Sequence, residues 1–225
     1  MNPAQFGPKE DLASYPRDLD RDLRLLDDAG CDLVFAPEVA EMYPAGMDTV
    51  VVPGRVAEPL EGARRPGHFR GVATVVAKLF NIVRPDRAYF GEKDAQQLAV
   101  IRALVRHLDV PVEVVGCPIV READGLAMSS RNGYLTAEER RAAPVLHRAL
   151  LAARELWARG ERRGDALRAE MRRVIEGEPL ARLDYASAAD PDSFEEIERA
   201  QGPVLLLLAA FLARARLIDN PRLEP

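Results

Sequence analysis

Arg87-Ala88-Tyr89-Phe90-Gly91-Glu92-Lys93-Asp94-Ala95-Gln96-Gln97 decides how this chain is read. Arg87 to Phe90 is short, apolar and aromatic, which suits a strand. Gly91 ends it, and helical periodicity begins at Asp94 and runs to about residue 109. A turn from the carboxyl end of a strand into a helix is where open α/β sheets place ligands. Gly91 permits close backbone approach. The helix start offers unpaired N–H groups and a positive dipole end to an anion. Lys93 adds a full charge within reach of phosphates. Asp94 is placed to cap the helix and to accept from ribose hydroxyls. Gln97, one turn on, faces the same cleft. The stretch also admits a plainer reading, in which Asp94 only caps and Lys93 is solvated.

Working outward, residues 68–84 predict a strongly apolar helix stopped by Pro85, and Pro111 to Val115 a further strand. Upstream, Leu19, Leu23, Leu25 and Leu26 predict a helix over 17–29 with Gly30 as its stop. Asp32 to Pro37 predicts a short apolar strand. This alternation implies βαβ units and a parallel sheet. The texture changes near residue 120. Arg121 to Leu135 is a polar loop, followed by a long Ala/Arg/Leu-rich helix over 136–160 and another over 164–177. Strands are expected at Leu183–Ala188, 204–213 and 216–219. The expected architecture is α/β: residues 1–120 as an incomplete Rossmann-like domain, and residues 121–225 as a small α+β domain with an antiparallel sheet. An α/β sheet of this kind binds nucleotides beside its first strand and turn, and this chain opens directly in a loop.

Composition narrows the function classes. The 225 residues carry a formal net charge of −5, against a nucleic-acid surface. Of 31 basic residues 28 are arginine; the lysines are Lys9, Lys78 and Lys93. Cys31 and Cys117 form no disulfide framework or metal spacing, and their apolar contexts predict buried free thiols in a reducing compartment. The amino end lacks the form of a signal peptide. The apolar run Val204–Ala213 is too short for a membrane span and reads as a buried strand.

Further candidates lie in the polar loop. Met128-Ser129-Ser130-Arg131 sets two hydroxyls beside a guanidinium, a combination that hydrogen-bonds and neutralises polyphosphate, although the same residues also suit a solvated connector. A loop at a domain edge can close over substrate. Gln5, in Asn2-Pro3-Ala4-Gln5-Phe6, is able to fix a hydroxyl or carboxylate unless the terminus is frayed. His68, in the first turn of the 68–84 helix, either binds an anion or packs. His107 and His147 have no metal partners in the pattern.

Taken in order, Asn-Pro-Ala-Gln-Phe-Gly (2–7), Asp-Leu-Val-Phe-Ala-Pro (32–37), Leu-Glu-Gly-Ala-Arg-Arg-Pro-Gly-His-Phe-Arg-Gly-Val (60–72), Tyr-Phe-Gly-Glu-Lys-Asp-Ala-Gln-Gln-Leu (89–98), Arg-Glu-Ala-Asp-Gly-Leu-Ala-Met-Ser-Ser-Arg-Asn (121–132) and Arg-Leu-Ile-Asp-Asn (216–220) closely resemble the pantothenate synthetase (pantoate–β-alanine ligase) family, over essentially the whole chain. The resemblance implies a nucleotidylyltransferase-type Rossmann domain with a C-terminal lid domain, and a cytoplasmic homodimer. It implies an AMP-forming carbon–nitrogen ligase using ATP and Mg²⁺, which joins (R)-pantoate to β-alanine through a pantoyl adenylate. By position, Gln5 and Gln97 resemble the pair that holds pantoate. Gly91, Glu92, Lys93 and Asp94 resemble the ATP segment, with Lys93 on phosphate. Val120 resembles an adenine-contacting backbone position. Met128, Ser129, Ser130 and Arg131 resemble the mobile phosphate loop, and Lys93, Ser129, Ser130 and Arg131 are the catalytic candidates. Asp22 falls near the family's metal region.

The sequence departs from the family at its amino end. The family's Pro-Thr-Met-Gly-x-Leu-His-x-Gly-His segment, which includes its catalytic His, is not among these residues. The resemblance therefore also implies an alternative, a catalytically impaired paralogue retaining a nucleotide or dimer surface. Met1 stands where the family has Val, so a GTG codon read as a start would account for the departure.

Overall fold

The computed structural model describes residues 1–7, 12, 13 and 15–225; Lys9 lies outside them. Strand β1 (Arg87–Gly91), helix α5 (Ala95–His107) and strand β2 (Glu113–Cys117) form the expected unit. The strands pair in parallel, Arg87 opposite Glu113 through Gly91 opposite Cys117. Before them come α1 (Leu19–Asp28), α2 (Val39–Met42), α3 (Glu61–Arg64) and α4 (His68–Val83). Helix α4 presents Phe69, Val72, Ala73, Val76 and Phe80 to Val100, Ile101 and Leu104 of α5 and to Val112. The spacing is that of one apolar helical stripe. At Gly71 the amino-terminal segment crosses this helix so closely that a Cβ would lie 2.1 Å from the Ala4 carbonyl oxygen.

The C-terminal half holds α6 (Ala137–Ala142), α7 (Val145–Ala158) and α8 (Gly164–Glu176), then β3 (Ala181–Ala189), β4 (Val204–Leu212), β5 (Ala215–Asp219) and β6 (Arg222–Leu223). The sheet is antiparallel, in order β3-β4-β5, with β6 also on β4. One face of β4 packs Leu206, Leu208 and Leu212 against Leu146, Leu150, Leu167, Met171 and Ile175 of the helices. Leu205 and Leu207 on its other face join Phe194, Val56, Leu60, Ala95 and Ala99, so this face meets the amino-terminal half. A strand covered on both faces reads as a continuous apolar run rather than an alternating one, which is why Val204–Leu212 contains no polar residue.

Three expectations are corrected. Asp32–Pro37 is irregular, not a strand: among the described residues no segment supplies a ladder, and Leu33 is 89% exposed. The helix expected over 136–160 is two, because Pro144 at the junction has no N–H to donate. The cysteines are free as expected, but Cys31 is exposed and Cys117 only half-buried. Among the described residues, no helix is long and apolar enough to cross a membrane.

Candidate active site

A cavity of about 600 Å³ opens between the two halves. Lys93, Asp94, Ser129 and Arg131 line it, so the strand–helix turn and the polar loop, far apart in sequence, meet on one space. Glu61, Arg64, Arg65, Asp184, Arg214 and Arg216 complete much of the wall. A smaller cavity adjoins it, bordered by Lys93, Asp94, Gln97, Arg65, His68 and Asn220.

The turn at 91–94 is held from below. Asn220, buried after β5, donates its side-chain amide to the Glu92 carbonyl at 3.1 Å and to the Lys93 carbonyl at 2.8 Å. With its main chain fixed, Lys93 lies along the wall with a side chain only 18% exposed, its Nζ 4.0 Å from Asp94. Asp94 occupies the N-cap position of α5 without using its side chain as a cap, and the carboxylate stays 48% exposed. Neither a solvated Lys93 nor a capping Asp94 therefore describes the turn. Gly91 and Glu92 are exposed, and a Cβ on Gly91 would meet nothing within 4 Å. The start of α5 faces the space, so its N–H groups and dipole add to the field of Lys93.

Loop 121–134 is anchored at its root. Arg121 grips buried Asp219 at 2.6 and 2.9 Å and donates to the Gly125 carbonyl at 3.0 Å. The main-chain N–H of Met128 donates to the Val120 carbonyl, and both side chains are exposed. Arg140 pairs with Glu122 and Asp124, and Asn132 donates to Glu122 and to the Ala127 carbonyl. Ser129 caps the following turn by accepting from the Arg131 N–H at 3.2 Å. The Ser130 hydroxyl lies 2.7 Å from that of Tyr15, and the Arg131 guanidinium sits over the Tyr15 ring. Tyr15 is a residue that sequence reasoning missed.

Of the two adjacent glutamines, Gln96 is structural. It is buried, accepts from the Glu61 N–H at 3.0 Å and donates to the Val56 and Pro59 carbonyls. Gln97 borders the smaller cavity. Gln5 lines neither cavity; its carbonyl meets His68 and Arg65, which border the smaller one, and its side-chain oxygen accepts from Asn2 at 3.2 Å. Its segment is not frayed: Asn2 caps it, Tyr43 donates to Asn2, and Asn2 donates to the Gly71 carbonyl. His68 borders the smaller cavity and is also held by its neighbours. Its Nδ1 lies 2.8 Å from the Gln5 carbonyl, and its Nε2 lies 3.1 Å from the Arg65 guanidinium. A carbonyl only accepts, so Nδ1 is the donor in its contact with Gln5.

The largest feature absent from the sequence reading is the cluster around Glu61. Arg216 grips both its oxygens at 2.8 Å, and Tyr185 donates to it at 2.9 Å. Arg216 also bonds Asp184 at 3.0 and 2.8 Å. Burial alone pushes the Glu61 carboxyl up, but the Arg216 hydrogen bonds and charge, with Tyr185 and Arg65, hold it below the usual carboxylate range. Asp22 lies on exposed α1 and lines neither cavity. Among the described residues no group of three or more His, Cys, Asp or Glu is placed to hold a metal ion.

A parallel strand–turn–helix unit with a cationic cleft at the carboxyl end of its strand defines an α/β enzyme of the nucleotide-binding type. Comparison with known proteins narrows this. The chain belongs to the pantoate-beta-alanine ligase family, whose model matches residues 1–222. Pantothenate synthetase of Roseiflexus sp. (strain RS-1) is 63% identical over 224 residues, covering 100% of this chain and 81% of the relative. That of Herpetosiphon aurantiacus is 60% identical, covering 98% and 80%. The crystal structure of the Thermus thermophilus enzyme superposes with a TM-score of 0.96 at 52% identity, over 100% of this chain and 81% of that one. Pantoate-beta-alanine ligase from Francisella tularensis, complexed with beta-gamma ATP and beta-alanine, superposes at 0.77 with 31% identity, over 98% and 76%.

Proposed function

We propose that the chain condenses (R)-pantoate with β-alanine at the expense of ATP, giving pantothenate, AMP and pyrophosphate. The observation that carries this is the convergence of Lys93, Asp94, Ser129 and Arg131 on one cavity, within a fold shared with pantothenate synthetases. A pantoate carboxylate oxygen attacks the α-phosphorus, the bond to the bridging oxygen breaks, and pyrophosphate departs. The β-alanine amine then attacks the acyl carbon of the pantoyl adenylate, loses a proton, and AMP departs.

The chain's task in the first step is positioning and charge. Lys93 and Arg131 face the negative charge of the phosphates across the cavity. Ser129 and Ser130 supply hydroxyls, with Met128 forming the edge of the loop. Gly91 and Glu92 shape the turn, and Asp94 is open to a ribose. The Val120 segment borders the base, and Gln5 and Gln97 hold pantoate. Mg²⁺ enters as part of the ATP complex. Mg²⁺ that keeps water and phosphate ligands needs only one or two protein carboxylates; Asp22, which lines neither cavity, is not placed to supply one.

Residues 1–120 act as the ATP and pantoate unit and 121–225 as the lid, a division supported by their separate apolar clusters. Two free thiols suit a cytoplasmic location, and the active form is a homodimer. The test is AMP formation by the 225-residue protein with pantoate, β-alanine and Mg²⁺–ATP. AMP must appear only when pantoate is present; AMP release indifferent to pantoate refutes the reading.

A further inference from the structure

The Glu61 cluster forms a continuous path across the molecule. It begins on β5 with Arg216, passes to Glu61 at 2.8 Å, and continues to Arg65, whose guanidinium lies 3.9 Å from the Glu61 carboxylate. Arg65 meets His68 at 3.1 Å, and His68 meets the Gln5 carbonyl at 2.8 Å. Arg65 also reaches that carbonyl directly, at 3.5 Å. The C-terminal sheet is thus linked, contact by contact, to the main chain of Gln5.

The middle of the path is rigidly set. Both Glu61 oxygens are engaged, Oε1 by Tyr185 and Arg216 and Oε2 by Arg216. Its N–H is taken by Gln96. The preceding residue, Leu60, has φ of 50°, a positive value that a leucine adopts only when its surroundings enforce it. A buried ion pair is a poor device for stability, since apolar residues of the same volume do as well. Its strength lies in fixing geometry.

We propose that Glu61 and Arg216 are positioning residues, whose ion pair holds Arg65 and His68 and through them sets Gln5 at its substrate. The inference rests on the reading of Gln5 as a pantoate-binding residue. It gives the C-terminal sheet a part in recognising a substrate bound mainly by the other half.

The experiment is calorimetric binding of pantoate, and separately of Mg²⁺–ATP, to the 225-residue protein and its variants. Glu61→Gln should weaken pantoate binding at least about tenfold, and by clearly more than it weakens ATP binding, because a neutral amide cannot hold both Arg216 and Arg65 and only the pantoate site depends on Gln5. Tyr185→Phe, which removes one hydrogen bond and keeps the charges, should weaken pantoate by about threefold. It carries the test if Glu61→Gln does not fold. Amide exchange in Glu61→Gln should quicken across residues 61–69 and not in α7 or α8. Unchanged pantoate affinity, or equal loss for both ligands, overturns the proposal. Wild-type protein that binds ATP but not pantoate overturns the proposed function instead.

Discussion

Asp219→Ala tests how loop 121–134 is held. The Asp219 side chain is 2% exposed and accepts two hydrogen bonds from Arg121 at 2.6 and 2.9 Å. It also accepts the Asn220 N–H at 2.8 Å. Truncation leaves Arg121 without its counter-charge and a buried N–H without its acceptor. Breaking a buried pair from one side costs about 3–5 kcal/mol. Arg121 is 24% exposed and recovers part of this from water, which puts the loss at about 3 kcal/mol. For a chain of this size that lowers the melting temperature by about 6–12 °C. Urea denaturation measures it. The double variant Arg121→Met with Asp219→Ala removes both charges and should be less destabilised than the two single losses combined, with a coupling of about 2 kcal/mol. A single-variant loss below about 1 kcal/mol, or plain additivity, refutes the claim that this pair anchors the loop.

Lys93→Ala should lower the adenylation rate at least about tenfold, measured as pantoate-dependent AMP release, with little change in melting temperature; an unchanged rate removes Lys93 from the mechanism. His147 has its pKa lowered from 6.5, first by burial and then by the Arg121 charge. The folded state therefore resists protonation, and its contribution to stability is present above about pH 6.5 and is lost as pH falls through the depressed value. Wild-type stability should decline across that window and His147→Gln should flatten the decline; parallel curves exclude His147 as the cause. Gly71→Ala places a Cβ 2.1 Å from the Ala4 carbonyl. It should displace the Asn2–Gln5 segment and weaken pantoate binding at least about tenfold by calorimetry, and wild-type affinity would show that the segment gives way freely.

The parts of the fold legible in the sequence were those whose signals are local. Helix α4 announced itself by its apolar stripe and Pro85, and β1, α5 and β2 by periodicity and Gly91. What depends on a neighbour was not legible. Asp32–Pro37 has strand composition, but a strand needs a ladder. The break within 136–160 is a different case, a local signal left unread: Pro144 stands in the sequence and divides the helix there. The same division holds at the cavity. Lys93 and Arg131 stand in compact motifs and were readable. Glu61, Tyr185 and Arg216 are isolated along the chain, and their meaning arises from 155 residues of separation closing to 2.8 Å. Tyr15 carried no signal of its own, since an aromatic residue in a polar loop has many uses.

The amide of Asn220 has a consequence for the order in which the molecule is made. It fixes the carbonyls of Glu92 and Lys93, and it follows Lys93 by 127 residues. During translation the βαβ unit emerges and has its helix and parallel pair available early, yet its cationic turn has no support from beneath until β5 has been synthesised and paired with β4. A nascent chain halted in the C-terminal sheet would display Lys93 on an unbraced turn. The turn that carries Lys93 is thus braced only once nearly the whole described chain has left the ribosome.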